Sequence, residues 1–226
     1  MANFLGENHY PAYIFDPRFN PSRQPRVGIG YMVIGLISIL AKLKTIPVAD
    51  EEAEKMISFL TAQNTLFTKE KTLSVNPAKQ LADKLEGKIP IFITADFLTE
   101  AAYAVRNMIN ETAKQFAVYF YIPELNHHLL EGLSYPKDLA KLLQFIFIDS
   151  PIYDERNKKR LTLTQKIVEK NNFACQIINL SSSSALSQTM EFLQLGSWLS
   201  FYLAMLNDAD PSEIPWVDYF KENLKT

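Results

Sequence analysis

Four short apolar runs constrain the fold more than any other feature of this chain. They are "IPIFIT" (89–94), "AVYFYI" (117–122), "LQFIFID" (143–149) and "FACQIIN" (173–179). Each is near-continuously apolar instead of alternating, the pattern of a strand buried on both faces. Helical segments separate them. "PAKQLADKLEG" (77–87), halted by Gly87, comes before the first, and 98–115 and 155–170 lie between strands. Long helices are expected over 184–207 and 213–224, and a loop or short helix over 123–133. Strands alternating with helices predict an α/β fold whose parallel sheet is covered on both faces. Active sites in such folds gather at the C-terminal edge of the strands, where His127 and the end of 143–149 are expected.

The chain before these runs reads differently. Residues 1–26 carry Pro11, Pro17, Pro21 and Pro25 and little apolar periodicity, which predicts an extended arm or linker. Helices are expected over about 28–43 and 49–63, the second opened by Asp50, Glu51 and Glu52 at its positive end. The expected organisation is an arm (1–26), a helical extension (27–75) and a C-terminal domain (76–226). Val27 to Ala41 is shorter than the ~20 residues of a spanning helix, and Arg26 and Lys42 bracket it. It is read as a buried helix, with no membrane partner.

Composition narrows the function classes. A net charge of −2 gives no electrostatic case for nucleic acid. The run Asn157-Lys158-Lys159-Arg160 reads as a solvated helix face. Cys175, the single cysteine, excludes an internal disulfide and fits a reducing cytoplasm. It lies in an apolar run with no base nearby in sequence, so a buried, inert thiol is expected. The N-terminus lacks a basic segment followed by a long apolar run, so no signal peptide is read there.

Chemistry-bearing residues concentrate in "INETAKQFAVYFYIPELNHH" (109–128). It puts the carboxylate of Glu111 near the end of an expected helix and the imidazole of His127 just past the next strand. A carboxylate and a histidine are the pair needed to move a proton between adjacent sugar carbons and to open the ring. The string resembles the Asn-Glu-Asn-Ala-Lys … Pro-Glu-Leu-Asn-His-Asn signature of the bifunctional phosphoglucose/phosphomannose isomerases, enzymes of the sugar-isomerase (SIS) fold. Three further blocks resemble that family in order: "NPSRQPRVG" (20–28), "DSPIYDERNKKRLTLT" (149–164) and "LGSWLSFYLAMLNDADPSEIPWVDYFKENL" (195–224).

The resemblance implies a SIS-type, flavodoxin-like three-layer sandwich and isomerisation of glucose 6-phosphate or mannose 6-phosphate to fructose 6-phosphate, without a cofactor. It implies that Glu111 is the base acting through a cis-enediol and that His127 is the ring-opening acid/base. Because the family's histidine serves the neighbouring subunit's site, a homodimer is implied. Lys221 resembles the lysine that assists ring opening, with Lys225 as the alternative. Arg26 resembles the arginine facing the enediolate, with Arg23 as the alternative. The family has Asn-His-Asn-Glu where this chain has Asn126-His127-His128-Leu129. Its first SIS domain normally carries a Gly-Gly-Ser turn and a Ser-x-Ser-Gly-Asn-Thr loop, and neither string occurs here. The chain is therefore expected to be the C-terminal half of such an enzyme, with a separate N-terminal SIS half as partner. The alternative is a non-catalytic module that binds sugar phosphate or pairs with a SIS domain.

Two other signals have plainer readings. Glu124/His128 and His127/Glu131 have chelating i,i+4 spacing, but no further ligand cluster follows, so no metal is expected. Ser181 to Ser184 precede a helix and could cradle a phosphate or cap that helix.

Overall fold

The computed structural model describes residues 2–10 and 12–224. The chain divides into two compact units, Met1–Lys55 and Met56–Thr226.

The first unit holds α1 (Ala2–Glu7) and α2 (Ile29–Lys42). A short helix thus occupies part of the expected arm. The Asn20–Gln24 turn is held by its own polar groups: Asn20 Nδ2 donates to Gln24 O (2.8 Å) and Ser22 Oγ to Asn20 Oδ1 (2.9 Å). The expectation that Val27–Ala41 is a buried helix is corrected. In α2 only Gly35 is buried, beneath the Tyr13 ring, and Met32, Leu36 and Ile39 with Leu43 just beyond form an exposed stripe. The stretch Pro25–Lys42 (18 residues, mean hydropathy 1.4) is long and apolar enough to cross a membrane, on length and composition alone.

α3 spans Asp50–Phe67. The second unit then runs α4 (Pro77–Leu85), β1 (Ile89–Ala95), α5 (Thr99–Met108), β2 (Val118–Ile122), α6 (Leu129–Gly132), α7 (Leu139–Leu142), β3 (Leu143–Asp149), α8 (Glu155–Lys170), β4 (Ala174–Asn179), α9 (Ala185–Leu206) and α10 (Pro215–Asn223). The sheet is wholly parallel, in the order β2-β1-β3-β4. β1 and β3 are central, and Phe92, Ile93, Phe145, Ile146, Phe147 and Ile148 are fully buried. That is why these runs are continuously apolar.

α5 and α9 cover one face, with α4 packed on α9, and α8 lies on the other. The result is the three-layer α/β/α sandwich. Phe192 of α9 meets Phe92 of β1 with ring centroids 6.1 Å apart. Where α9 crosses α5, Gly196 sits on Val105 so closely that a Cβ would overlap the valine methyls. Asn76 is fully buried and knots the entrance to the domain. Its Oδ1 accepts from Lys79 N (3.0 Å), capping α4, and its Nδ2 donates to Phe67 O (2.9 Å). Tyr202 of α9 donates its hydroxyl to the same Phe67 carbonyl.

Candidate active site

The segment expected as one helix over 98–115 is α5 followed by a wider π-type turn, Ile109–Ala113. Single turns of this kind concentrate at functional sites because they re-aim side chains within a helix. Glu111 lies on it. Three polar side chains hold the turn. Asn110 Nδ2 donates to Arg106 O (2.9 Å) and Ala117 O (3.2 Å), stitching the helix end to the chain entering β2. Lys114 ends the turn in the left-handed region (φ 53°). Its Nζ donates to Glu111 O (2.9 Å), Thr112 O (3.2 Å) and Asp210 O (2.5 Å). Asn207, at the end of α9, donates to Ala113 O (3.0 Å).

Glu111 lines an open pocket of about 290 Å³ together with Arg106, Asn107, Asn110 and Phe116 to Tyr119. The pocket lies where β2 begins. His127 lies past the other end of that strand, in a short 3₁₀ turn, Glu124–His127. It is exposed at the C-terminal edge of the sheet. The turn is anchored by fully buried Leu125 and by Asn126 Nδ2, which donates to Thr164 Oγ1 of α8 (2.8 Å). Five strand residues at about 3.3 Å each separate the two sites by about 16 Å. Glu111 lines the pocket at the start of β2, and His127 lies beyond its end.

Lys221 is on α10, every residue of which is exposed, Trp216, Tyr219 and Phe220 included. The loop leading to α10 is fastened at Asp210 to the Glu111 turn through Lys114. Lys225 falls outside the described residues. Arg26 belongs to the first unit, is nearly buried, and donates from a terminal nitrogen to Gln24 Oε1 (3.1 Å). Arg23, its alternative, adopts φ 56° in the same polar turn.

The Ser181–Ser184 loop is occupied by the chain itself. Ser184 caps α9, its Oγ accepting from Ser187 N (3.2 Å). The nearly buried Glu191 carboxylate accepts from the backbone N–H and hydroxyl of both Ser181 and Ser182, at 2.8–3.3 Å. Gln188 extends this seal, accepting from Ser150 Oγ (2.6 Å) and donating to Ser182 O (2.8 Å). The anion-binding groups of this loop are spent on an internal anion. Among the described residues no group of three or more His, Cys, Asp or Glu side chains is placed to hold a metal. Glu124 and His128 pair at 3.1 Å on the surface.

Cys175, expected to be buried, is only half-buried because β4 is an edge strand; that burial still pushes its thiol up to about 12, with Glu169 adding to the rise. Burial also raises Tyr153, whose hydroxyl accepts from Ala95 N (3.1 Å), and Asp96 and Asp149 reinforce the rise. Both groups stay protonated at neutral pH.

Sequence reasoning missed Glu191 and Arg106. A lone acid in the apolar run "TMEFLQLG" (189–196) signals a buried partner. Arg106 has no acidic residue three or four positions away, which signals a cation with no partner on its own helix.

The family model described as the bacterial phospho-glucose isomerase C-terminal SIS domain matches residues 74–224. The chain belongs to this family. Among curated relatives, the bifunctional phosphoglucose/phosphomannose isomerase of Caldicellulosiruptor bescii is 28% identical over 202 residues, 89% of this chain and 60% of the relative. That of Thermoplasma volcanium is 29% identical over 213 residues, 93% of this chain and 64% of the relative. The chain thus spans about 60% of the length of the first of these isomerases. Among solved structures, a glucose-6-phosphate isomerase like protein from Thermus thermophilus matches with a TM-score of 0.63 at 22% identity, covering 73% of this chain and 56% of that one. Glucosamine-6-phosphate deaminase from Thermotoga maritima matches at 0.57 and 10% identity, covering 82% and 53%. Both likenesses establish the SIS fold.

Proposed function

We propose that the chain is the C-terminal half of an aldose–ketose isomerase that converts glucose 6-phosphate or mannose 6-phosphate to fructose 6-phosphate. One observation carries the reading: in a member of this family, the Asn-Glu-x-Ala-Lys segment forms a braced turn with Glu111 on the wall of an open pocket. With the open-chain aldose there, a Glu111 oxygen takes the proton from C2. The C2–H electron pair forms the C1–C2 double bond, and the carbonyl pair moves to O1. Glu111 then returns the proton to C1 while the O2 hydroxyl proton passes to O1, leaving C2 as the ketone carbon. The planar intermediate erases the C2 configuration in which the two aldoses differ. No electrons are gained or lost overall, so the route calls for no redox cofactor.

His127 opens the ring as acid/base, in the site of a second subunit. The separation of about 16 Å along β2 supports this sharing. So do the uncovered apolar side chains of α2 and α10, which suit burial in an assembly. Lys221 assists ring opening and Arg26 steadies the enediolate. Glu111, His127 and Lys221 act within a domain over 76–226, Arg26 ends the 1–26 arm, a 27–75 extension joins the two, and the protein works in the cytoplasm. An N-terminal SIS half supplies the phosphate loops.

A second reading, a non-catalytic SIS-pairing module, is favoured by the internal closure of the Ser181–Ser184 loop. A coupled assay with fructose 6-phosphate separates the two. Turnover that requires both halves supports the isomerase, and no turnover by the reconstituted pair rejects it.

A further inference from the structure

The pocket beside Glu111 contains a cation that the proposed chemistry has not used. Arg106, near the end of α5, presents its guanidinium between two tyrosines. Its central carbon lies 4.8 Å from the Tyr103 ring centroid and 5.5 Å from that of Tyr119. The two rings meet edge-on, 5.8 Å apart. Stacking of this kind fixes the plane of the guanidinium and leaves its N–H groups for a ligand. Among the described residues those groups meet no carboxylate and no hydrogen-bond acceptor, and Nε is buried without a partner. Of the four buried side-chain atoms without a partner among the described residues, this is the one that belongs to a cation, and it lies on a pocket wall, where a ligand can satisfy it. Asn107 lines the same wall. Asn110 does not compete, because its side chain is spent on Arg106 O, Ala117 O and Ala117 N.

We propose that Arg106 is a second charge-stabilising residue, acting alongside Arg26, for the oxyanion that develops at the reacting end of the sugar. The assignment rests on the reading of Glu111 as the base. Charge balance selects this end over the phosphate. The pocket holds one cation and one carboxylate. When Glu111 takes the proton it becomes neutral, and the negative charge moves to the sugar oxygen. Arg106 faces a single negative charge before and after, so the transfer separates no new charge. A phosphate dianion beside an ionised Glu111 would leave the pocket with excess negative charge and meet repulsion. Arg106 shares its wall with the base.

The test uses the full chain and needs no turnover. Backbone amide shifts are followed while D-erythronate, a four-carbon sugar acid, is titrated in. Its carboxylate puts negative oxygen on a trigonal carbon, as an enediolate does. Shifts are expected at residues 106–119. Glu111→Gln, which removes the like charge, should bind roughly threefold tighter. Arg106→Gln should bind at least about tenfold weaker, since a charge-assisted pair is lost. Arg106→Lys should fall between. Inorganic phosphate at the same concentrations should leave the pocket unshifted.

Equal erythronate affinity in wild type and Arg106→Gln overturns the proposal, as does a pocket silent in both wild type and Glu111→Gln. Phosphate binding there as tightly as erythronate overturns the assignment to the reacting end. Should Arg106→Gln lose its dispersed spectrum, Arg106→Lys carries the comparison, and unchanged affinity overturns the proposal. The base assignment fails separately: C2 proton exchange that survives Glu111→Gln in a reconstituted enzyme removes the base and leaves the erythronate result standing.

Discussion

Glu111 is held from behind. Lys114 and Asn110 spend their polar groups on backbone, so the carboxylate is aimed by a turn that cannot relax without breaking several hydrogen bonds. Glu111→Gln keeps the shape of that turn but cannot accept a proton. In an assembly with an N-terminal half, the variant should lose about 100- to 10,000-fold in solvent-deuterium incorporation at C2, with sugar-phosphate binding retained. Undiminished incorporation would show that another group is the base. Cys175 offers a pH test of packing. Its thiol ionises near 9.0 when free and near 12 in the fold. The neutral thiol therefore contributes stability that is fully present below about pH 9 and is lost as pH rises toward 12. Alkylation of the folded chain at pH 8 should be far slower than alkylation in urea, and equal rates would mean the thiol is not packed as described. Glu111, Asn110 and Lys114 were legible because the motif is contiguous. Arg106 and Glu191 were not, because their meaning lies in partners. One lacks an acceptor in space, and the other finds its donors across a turn ten residues back.

At the scale of elements, the crossing of α5 and α9 joins the Glu111 turn to the core. Gly196 makes it possible by letting Val105 sit against the α9 backbone. Gly196→Ala would force the helices apart at this point. It should cost roughly 1–3 kcal/mol, read as a lower urea midpoint at unchanged m-value, as overpacking in a close-packed core does. A midpoint equal to wild type would mean that α9 shifts freely over α5. The strands and most helices could be read in advance: burial on both faces makes β1 and β3 continuously apolar, while the edge strands β2 and β4, expected to be buried too, are largely half-buried or exposed and were placed by their apolar content alone. All four strands, and the helix over 155–170, lie where the pattern predicts. The π-type turn at 109–113 was not readable. Its cause is the set of side-chain bonds from Asn110, Lys114 and Asn207, the last arriving from an element over 90 residues away. The exposure of α2 was not readable either. Its apolar content says that it must be covered, and leaves open whether the cover is its own chain or another.

For the whole molecule, the relevant arrangement is that Glu111 lies on the turn before β2 and His127 on the turn after it. If two chains share a site, Glu111→Gln and His127→Ala variants mixed into verified heterodimers should recover part of the lost activity, because one of the two sites is then intact. No recovery would argue that His127 works elsewhere. The more demanding prediction concerns the chain by itself. Isomerases of this kind use the remote phosphate to hold the reacting carbons against the base, and losing that orientation costs several powers of ten in rate. Within this chain the loop best suited to a phosphate is closed by Glu191, and the pocket at Glu111 already holds a carboxylate. The sugar would meet a half-site open to water, positioned by few contacts. Purified alone, the chain should therefore turn over fructose 6-phosphate at background rate. Adding a separately produced N-terminal SIS half should restore turnover and sugar-phosphate affinity together, since the same phosphate contacts provide both. Robust turnover by the chain alone would place a phosphate site within it. Glu191→Ala would then be the variant to examine, because emptying the Ser181–Ser184 cradle should raise phosphate affinity if that loop is where the phosphate binds.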